Sequence, residues 1–361
     1  MGDRAFVSTR KGLFELAKRG SAWEIGEVHF LGDPVSIALH DRRDGTLYAA
    51  LNLGHFGVKL HRKDPGSAGW TEVAVPVYPA KPEGSEDKTE WSLKMIWSLE
   101  AGGEDEPGVL WAGTLPGGLF RSADRGSSWE LVRSLWDHPT RPNWFGGGYD
   151  TPGIHSICVD PRDSRHVLLA VSTAGVWRTE DGGATWALSA KGLRAEYMPP
   201  EMQFDEVAQD PHRMVRCKAQ PDHLWIQHHN GIFRSTDNAR SWTELKAPGS
   251  SFGFAVAVHP ADGNKAWFVP AQKDERRYPV GAAMSVHRTR GDGNEFDELR
   301  TGLPQKHCYD LVYRHALAVD DDGRALLMAS TTGGLWASED AGDNWVAVSN
   351  LLPPVYAVSF A

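Results

Sequence analysis

An octet of the form Ser/Thr-x-Asp-x-Gly-x-x-Trp recurs along this 361-residue chain, and a short motif returning at regular spacing restricts the fold to a repeat architecture. Four copies are clear: GGLFRSADRGSSW ending at Trp129, AGVWRTEDGGATW at Trp186, NGIFRSTDNARSW at Trp242 and GGLWASEDAGDNW at Trp345, the third with Ala239 in the glycine place. Three remnants keep the position and lose the chemistry: KGLFELAKRGSAW at Trp23, FGVKLHRKDPGSAGW at Trp70 with one extra residue, and SVHRTRGDGNEF with Phe296 in the Trp place. The seven anchors are separated by 47, 59, 57, 56, 54 and 49 residues, each the length of one four-stranded blade with variable loops. The spacing predicts an all-β chain, a single seven-bladed β-propeller domain over residues 1–361.

Within a unit, alternating apolar residues bounded by Gly, Asp and Pro predict strand a (GIHSICVD, 153–160), strand b (HVLLAVST, 166–173), strand c (GVWRT, 175–179), the octet as the c–d turn, and a short strand d. The 15 Trp and 38 Gly favour such short strands and tight turns over helices. Only strands b, c and d precede or adjoin Trp23, whereas VYAVSFA at 355–361 is a strand without a blade. The C-terminal segment is therefore expected to pair with the N-terminal blade as its missing strand a, which removes the edges of an open ring.

A net charge of −9 with no Lys/Arg block argues against nucleic acid as a partner. Cys158, Cys217 and Cys308 are odd in number and lack CxxC spacing, so neither a disulfide framework nor a Cys-type zinc site is expected. No apolar run approaches the roughly 18 residues of a membrane span, and the first residues lack a signal-peptide pattern. The expectation is a cytoplasmic protein with no membrane partner.

The octet resembles the Asp-box, or bacterial neuraminidase repeat, of sialidases, sortilin-type receptors, two-domain xyloglucanases and photosystem assembly factors, and copies or remnants cover nearly the whole chain. The resemblance implies a sialidase-like or glycosyl hydrolase-like propeller. The chain has no Arg-Ile-Pro tripeptide of the sialidase kind. Asp124, Asp181, Asp237 and Asp340 are read as turn-forming rather than catalytic, since an Asp in a tight turn accepts nearby backbone N–H groups.

In a propeller the d–a and b–c loops gather at one mouth of the central channel. The d–a loops at 77–92, 133–153, 188–213 and 300–310 are long, as is the blade-six b–c insertion at 271–284. The first candidates for binding are the aromatics of WDHPTRPNWFGGGYDTPG, including Trp144 and Tyr149, which suit stacking on a sugar ring. Loop RAEYMPPEMQFDEVAQDPH supplies Glu201 and Asp205 as an acid and base pair of the kind glycoside hydrolysis uses, beside Glu196, Glu206, Asp210 and His212. His155 and His315 align at equivalent places, with Tyr309 nearby in sequence, and complete the catalytic set. Arg10, His55, Arg216 and Arg276 complete the substrate-binding set.

Three functions compete for these residues. One is a glycoside hydrolase acting on a carbohydrate. A second is a metal-assisted lyase or hydrolase of an anionic small molecule, with a divalent metal held by His155, His228, His229 or His315, because seven-bladed polyuronate lyases are similar in lining their mouth with His, Gln, Arg and Tyr. The third is a non-catalytic scaffold that binds a protein or peptide.

Overall fold

The computed structural model describes residues 3–273 and 276–361; Met1, Gly2 and two residues of the blade-six insertion, Asp274 and Glu275, lie outside them. The described residues form seven four-stranded antiparallel sheets, the blades of a seven-bladed β-propeller. Blade four shows how the sequence builds each one. Its strands are a (Ile154–Asp160), b (Asp163–Val171), c (Gly175–Thr179) and d (Ala187–Leu188), paired in that order. Strand b begins three residues before the predicted HVLLAVST run, because the Asp160/Asp163 pair tightens the a–b turn.

Residue contacts divide the chain into two compact units, Met1–Ala38 with His212–Ala361, and Leu39–Pro211. The first holds blades one, five, six and seven. Its cores include Trp267, Met284, Leu326 and Trp336 between blades six and seven, and Ala5, Val7, Leu335, Val358 and Phe360 between seven and one. The second holds blades two to four, with Trp111, Ile154, Leu169 and Trp177 at the centre of the core between blades three and four. No helix among the described residues is long and apolar enough to cross a membrane. The three cysteines are buried and form no disulfide among the described residues, and burial pushes the Cys308 thiol up to about 11, which leaves it protonated at neutral pH.

The first blade is completed by the C-terminal segment. Strand Val355–Phe360 pairs antiparallel with Arg4–Thr9, matching Ala5 to Phe360 and Val7 to Val358. Arg10 N–H donates to Pro354 O at 2.9 Å and Ala361 N–H to Arg4 O at 3.0 Å, so hydrogen bonds extend past both ends of the ladder.

The four intact octets adopt one turn. The first Ser or Thr hydroxyl (Ser122, Thr179, Ser235, Ser338) donates to the Asp carboxylate and accepts the N–H four residues on at 2.9 Å. The carboxylate then accepts both the backbone N–H and the side chain of the seventh octet residue, Ser128, Thr185, Ser241 or Asn344. The fifth octet position has positive φ in every copy, including Ala239 at 62° where glycine is absent. Hydrogen bonds from the Thr185 side chain and N–H hold the Asp181 carboxyl down to about 2, so it is ionised at neutral pH and has no proton to give. Asp340→Ala deletes three accepted bonds and is expected to cost about 1 kcal/mol, in the range of a lost helix cap; urea unfolding measures it, and an unchanged midpoint would contradict this role.

Candidate functional site

In the three-blade unit the long loops are pinned by a buried ion pair. Arg141 bonds Asp87 at 2.6 Å, with their side chains 8% and 7% exposed. Trp91 Nε1 donates to the same carboxylate at 2.7 Å and Thr89 N–H at 2.9 Å, while the guanidinium lies 4.1 Å from the Trp136 ring centroid. Burial alone would raise the Asp87 carboxyl, but the Arg141 bond and charge, with the Trp91 and Thr89 bonds, hold it well below the usual carboxylate range. Loops 77–92 and 133–153 are thus tied to each other by charge.

The glycine-rich end of the second loop carries the exposed aromatics. Phe145 is anchored through its backbone, exchanging hydrogen bonds with Thr173 of the blade-four b–c turn. Tyr149 is 49% exposed, and its ring stands edge-on to Trp97 at 5.1 Å. Trp97 in turn packs edge-on to the buried His155 at 5.4 Å. A Cβ at Gly153 would collide with the Trp97 ring, so a residue without a side chain is required there. The exposed tyrosine therefore rests on a rigid base of indole and imidazole.

Trp144, expected to face a ligand, instead packs on Trp177 at 5.4 Å and belongs to the core. A large ring at the start of the loop gains more by filling the gap beside strand c than by meeting water. Of the proposed carboxylate pair, Asp205 accepts Val207 N–H at 3.0 Å as the cap of the 3-10 turn Glu206–Ala208. Glu201 is exposed and has no ion pair among the described residues. Its loop also exposes Tyr197, Met202 and Phe204, the last at 63%. His55 is exposed beside Phe56 in the blade-two b–c turn.

In the four-blade unit, two histidines are drawn together. His212 is the second residue of blade-five strand a (Pro211–Arg216), and His229 follows strand b (Leu224–His228). Their rings are 5.5 Å apart. The His212 imidazole stacks on Phe254 at 4.5 Å and 13° and shares a 2.7 Å hydrogen bond between Nδ1 and Gly253 O. The turn carrying His229 is clamped by buried Gln227, whose Nε2 donates to His228 O, Gly231 O and Ser251 O. The Arg277 and Arg314 guanidiniums lie 5.3 and 5.7 Å from the centroid of the same Phe254 ring.

The other candidates sit apart from this group. His228 turns into its blade, edge-on to Phe233 at 5.2 Å, because adjacent strand residues face opposite ways. Arg216 is a correction: it ends strand a at the opposite extremity from His212 and donates to Pro221 O at 3.1 Å, in the a–b loop. His315 O accepts Val358 N–H at 2.9 Å, Arg10 and Arg276 are exposed, and Tyr309 lies 6.4 Å from Tyr278. Among the described residues, neither His155, His228 nor His315 falls in a cluster of three potential metal ligands. His212 and Asp210 were visible as loop residues, and DPH running straight into an apolar strand is the signal that could have promoted them.

The fold and these loops define a propeller with similarity to carbohydrate hydrolases and to an assembly protein. No protein-family model matches the chain. A xyloglucanase from Paenibacillus sp is 24% identical over 251 residues, 64% of this chain but only 23% of that enzyme, so the chain spans about a quarter of its relative. The photosystem II assembly lipoprotein Ycf48 of Synechococcus sp. is 20% identical over 326 residues, 90% of this chain and 78% of Ycf48. Among solved structures, an ancestral GH74 enzyme superposes with TM-score 0.62 at 14% identity, over 88% of this chain and 38% of that one. Ycf48 bound to D1 peptide gives 0.53 at 14% identity, over 87% and 81%. At these identities the structural likeness establishes the fold.

Proposed function

We propose that this chain is a glycosyl hydrolase-like propeller of the Asp-box kind that binds a carbohydrate on the loops of its three-blade unit. The observation that carries this reading is Tyr149, a half-exposed ring in a glycine-rich loop, held edge-on by Trp97, which is itself backed by His155. A flat, prepositioned aromatic offers stacking area to a pyranose at little entropic cost. The xyloglucanase similarity supports the same ligand class. In a hydrolytic version Glu201 is the carboxylate available for proton transfer, since Asp205 is occupied as a cap. Titration of β-glucan and polyuronate oligosaccharides, followed by calorimetry, tests the binding. Tyr149→Ala is expected to weaken it about tenfold, the equivalent of one aromatic contact, and Glu201→Gln to abolish any hydrolysis while leaving binding intact. Equal affinity of wild type and Tyr149→Ala would remove the reading.

A second reading, a scaffold that binds a protein segment, is favoured by the exposed Tyr197, Met202 and Phe204 and by the likeness to Ycf48. It predicts no oligosaccharide binding by the wild type. Under it, Phe204→Asp disrupts partner capture and Tyr149→Ala does not.

A further inference from the structure

We propose that the sugar taken at Tyr149 carries protonated amino groups, and that Asp150 is the residue that selects it over neutral and acidic sugars. This rests on the carbohydrate reading and adds the ligand's charge to it.

Tyr149 and Asp150 are adjacent and both exposed. An ideal Cβ on Gly146 would lie 1.9 Å from Tyr149 O and 2.7 Å from the Asp150 carbonyl carbon, so the loop folds back on this peptide and only glycine allows the approach. The contact of Tyr149 with Trp97 is T-shaped, at an interplanar angle of 90°, and covers at most one face of the phenol ring. An open aromatic face attracts a cation electrostatically as well as stacking on a sugar.

The charges of the loop leave Asp150 over. Loop 133–153 has two arginines, and each already holds a carboxylate: Arg141 bonds Asp87 at 2.6 Å and Arg133 bonds Asp137 at 2.7 Å. Asp150 makes no ion pair among the described residues. Successive Cα atoms are about 3.8 Å apart, so whichever way its side chain turns, the carboxylate stays within about one Debye length, ~10 Å at 0.1 M salt, of a ligand on Tyr149.

The surroundings have the same sign. The three long loops of this unit, 77–92, 133–153 and 188–211, hold eleven Asp or Glu against six Lys or Arg. The Arg141–Asp87 pair joins the first two, and a Cβ on Gly147 would come 3.1 Å from Asp210 Oδ1 of the third. A uronate on Tyr149 would meet excess negative charge with both arginines of the loop committed, whereas an ammonium meets the opposite sign. Carboxylates alone would not make a site; the half-exposed ring of Tyr149 provides it, and Asp150 sets the charge it accepts.

The test titrates the whole chain, by calorimetry in low salt near pH 5.5, with β-1,4-linked hexamers of glucosamine, glucose and mannuronate. The amino hexamer is expected to bind about fivefold more tightly than the neutral one, the worth of an exposed ion pair with a cation–π contact. The acidic hexamer should bind at least about fivefold more weakly than the neutral one. At 1 M salt, where the screening length is about 3 Å, the amino-to-neutral ratio should approach one. Asp150→Asn should bring that ratio near one at low salt, and Asp150→Glu should keep it. Should Asp150→Asn lose its native circular dichroism, Asp150→Ser takes its place. Equal wild-type affinity for the amino and neutral hexamers, or an unchanged ratio in the neutral variant, overturns the assignment of charge and leaves the Tyr149 platform standing. A wild type that binds none of the three hexamers removes the platform and this inference with it.

Discussion

Removal of residues 355–361 is expected to leave a protein that neither stays soluble nor melts cooperatively. Val355, Val358 and Phe360 are buried in the core shared with Ala5, Val7, Leu335 and Trp23, and Phe360 meets the Trp23 ring edge-on at 5.8 Å. Each such side chain contributes roughly 1.5–3 kcal/mol on burial. Three of them amount to a large part of the ~5–15 kcal/mol that holds a typical domain folded. The deletion also strips the ladder partner of Arg4–Thr9, whose unpaired groups then form an edge open to other chains. Val358→Asp should reproduce the effect without shortening the chain, because it places an uncompensated charge in the same core. Expression followed by size-exclusion chromatography and thermal melting measures both, and a soluble, cooperatively melting truncation would contradict the clasp.

Arg141→Met carries the second large effect. It leaves the Asp87 carboxylate buried without its cation, a change that costs about 3–5 kcal/mol when one partner of a buried pair is lost. Asp87→Asn combined with Arg141→Met should recover part of that loss, since no stranded charge remains. The pH dependence follows from the direction of the shift. The folded Asp87 carboxyl is depressed by Arg141, Trp91 and Thr89, so its stabilisation is fully present above the unfolded value of about 3.9 and is lost as pH falls through the folded value. Arg141→Met removes the Arg141 bond and charge from among the lowering influences, so the variant's Asp87 carboxyl is depressed less than that of the wild type. The stability gap between wild type and variant should therefore narrow on acidification from neutral pH. Urea unfolding at pH 7 and near pH 3 reads this directly; a gap independent of pH would show that Asp87 is not the group responsible. Because the pair ties loop 77–92 to loop 133–153, the same variant should also weaken oligosaccharide binding at Tyr149.

Within a blade, the sequence was close to a complete description. Strand c of blade four was predicted and found at Gly175–Thr179, and the terminal strand begins at Val355 as expected. The turn chemistry was equally legible, because the octet's Asp bonds only to residues within four positions of itself. The seventh octet residue escaped notice: Ser, Thr and Asn look unrelated as letters and share a donor only when the carboxylate they cap is seen.

The loop residues were legible as types and not as neighbours. Trp144 and Tyr149 are five positions apart in one aromatic loop, yet one fills the core and the other meets solvent. Arg216 belongs to the same strand as His212, and its distance along that strand takes it away. His229 finds Phe252 from the next blade, a contact that no spacing rule encodes.

By itself, then, the chain's sequence determined the number of blades, the hairpin turns and the strand that completes blade one. Those features rest on backbone pairing and short-range hydrogen bonds, whose partners lie a few residues apart or recur with the repeat. Only the tertiary structure decided which histidines converge and which tryptophan is core. Those outcomes depend on packing between loops of different blades, where burial of a ring or charge is settled by neighbours remote in the chain.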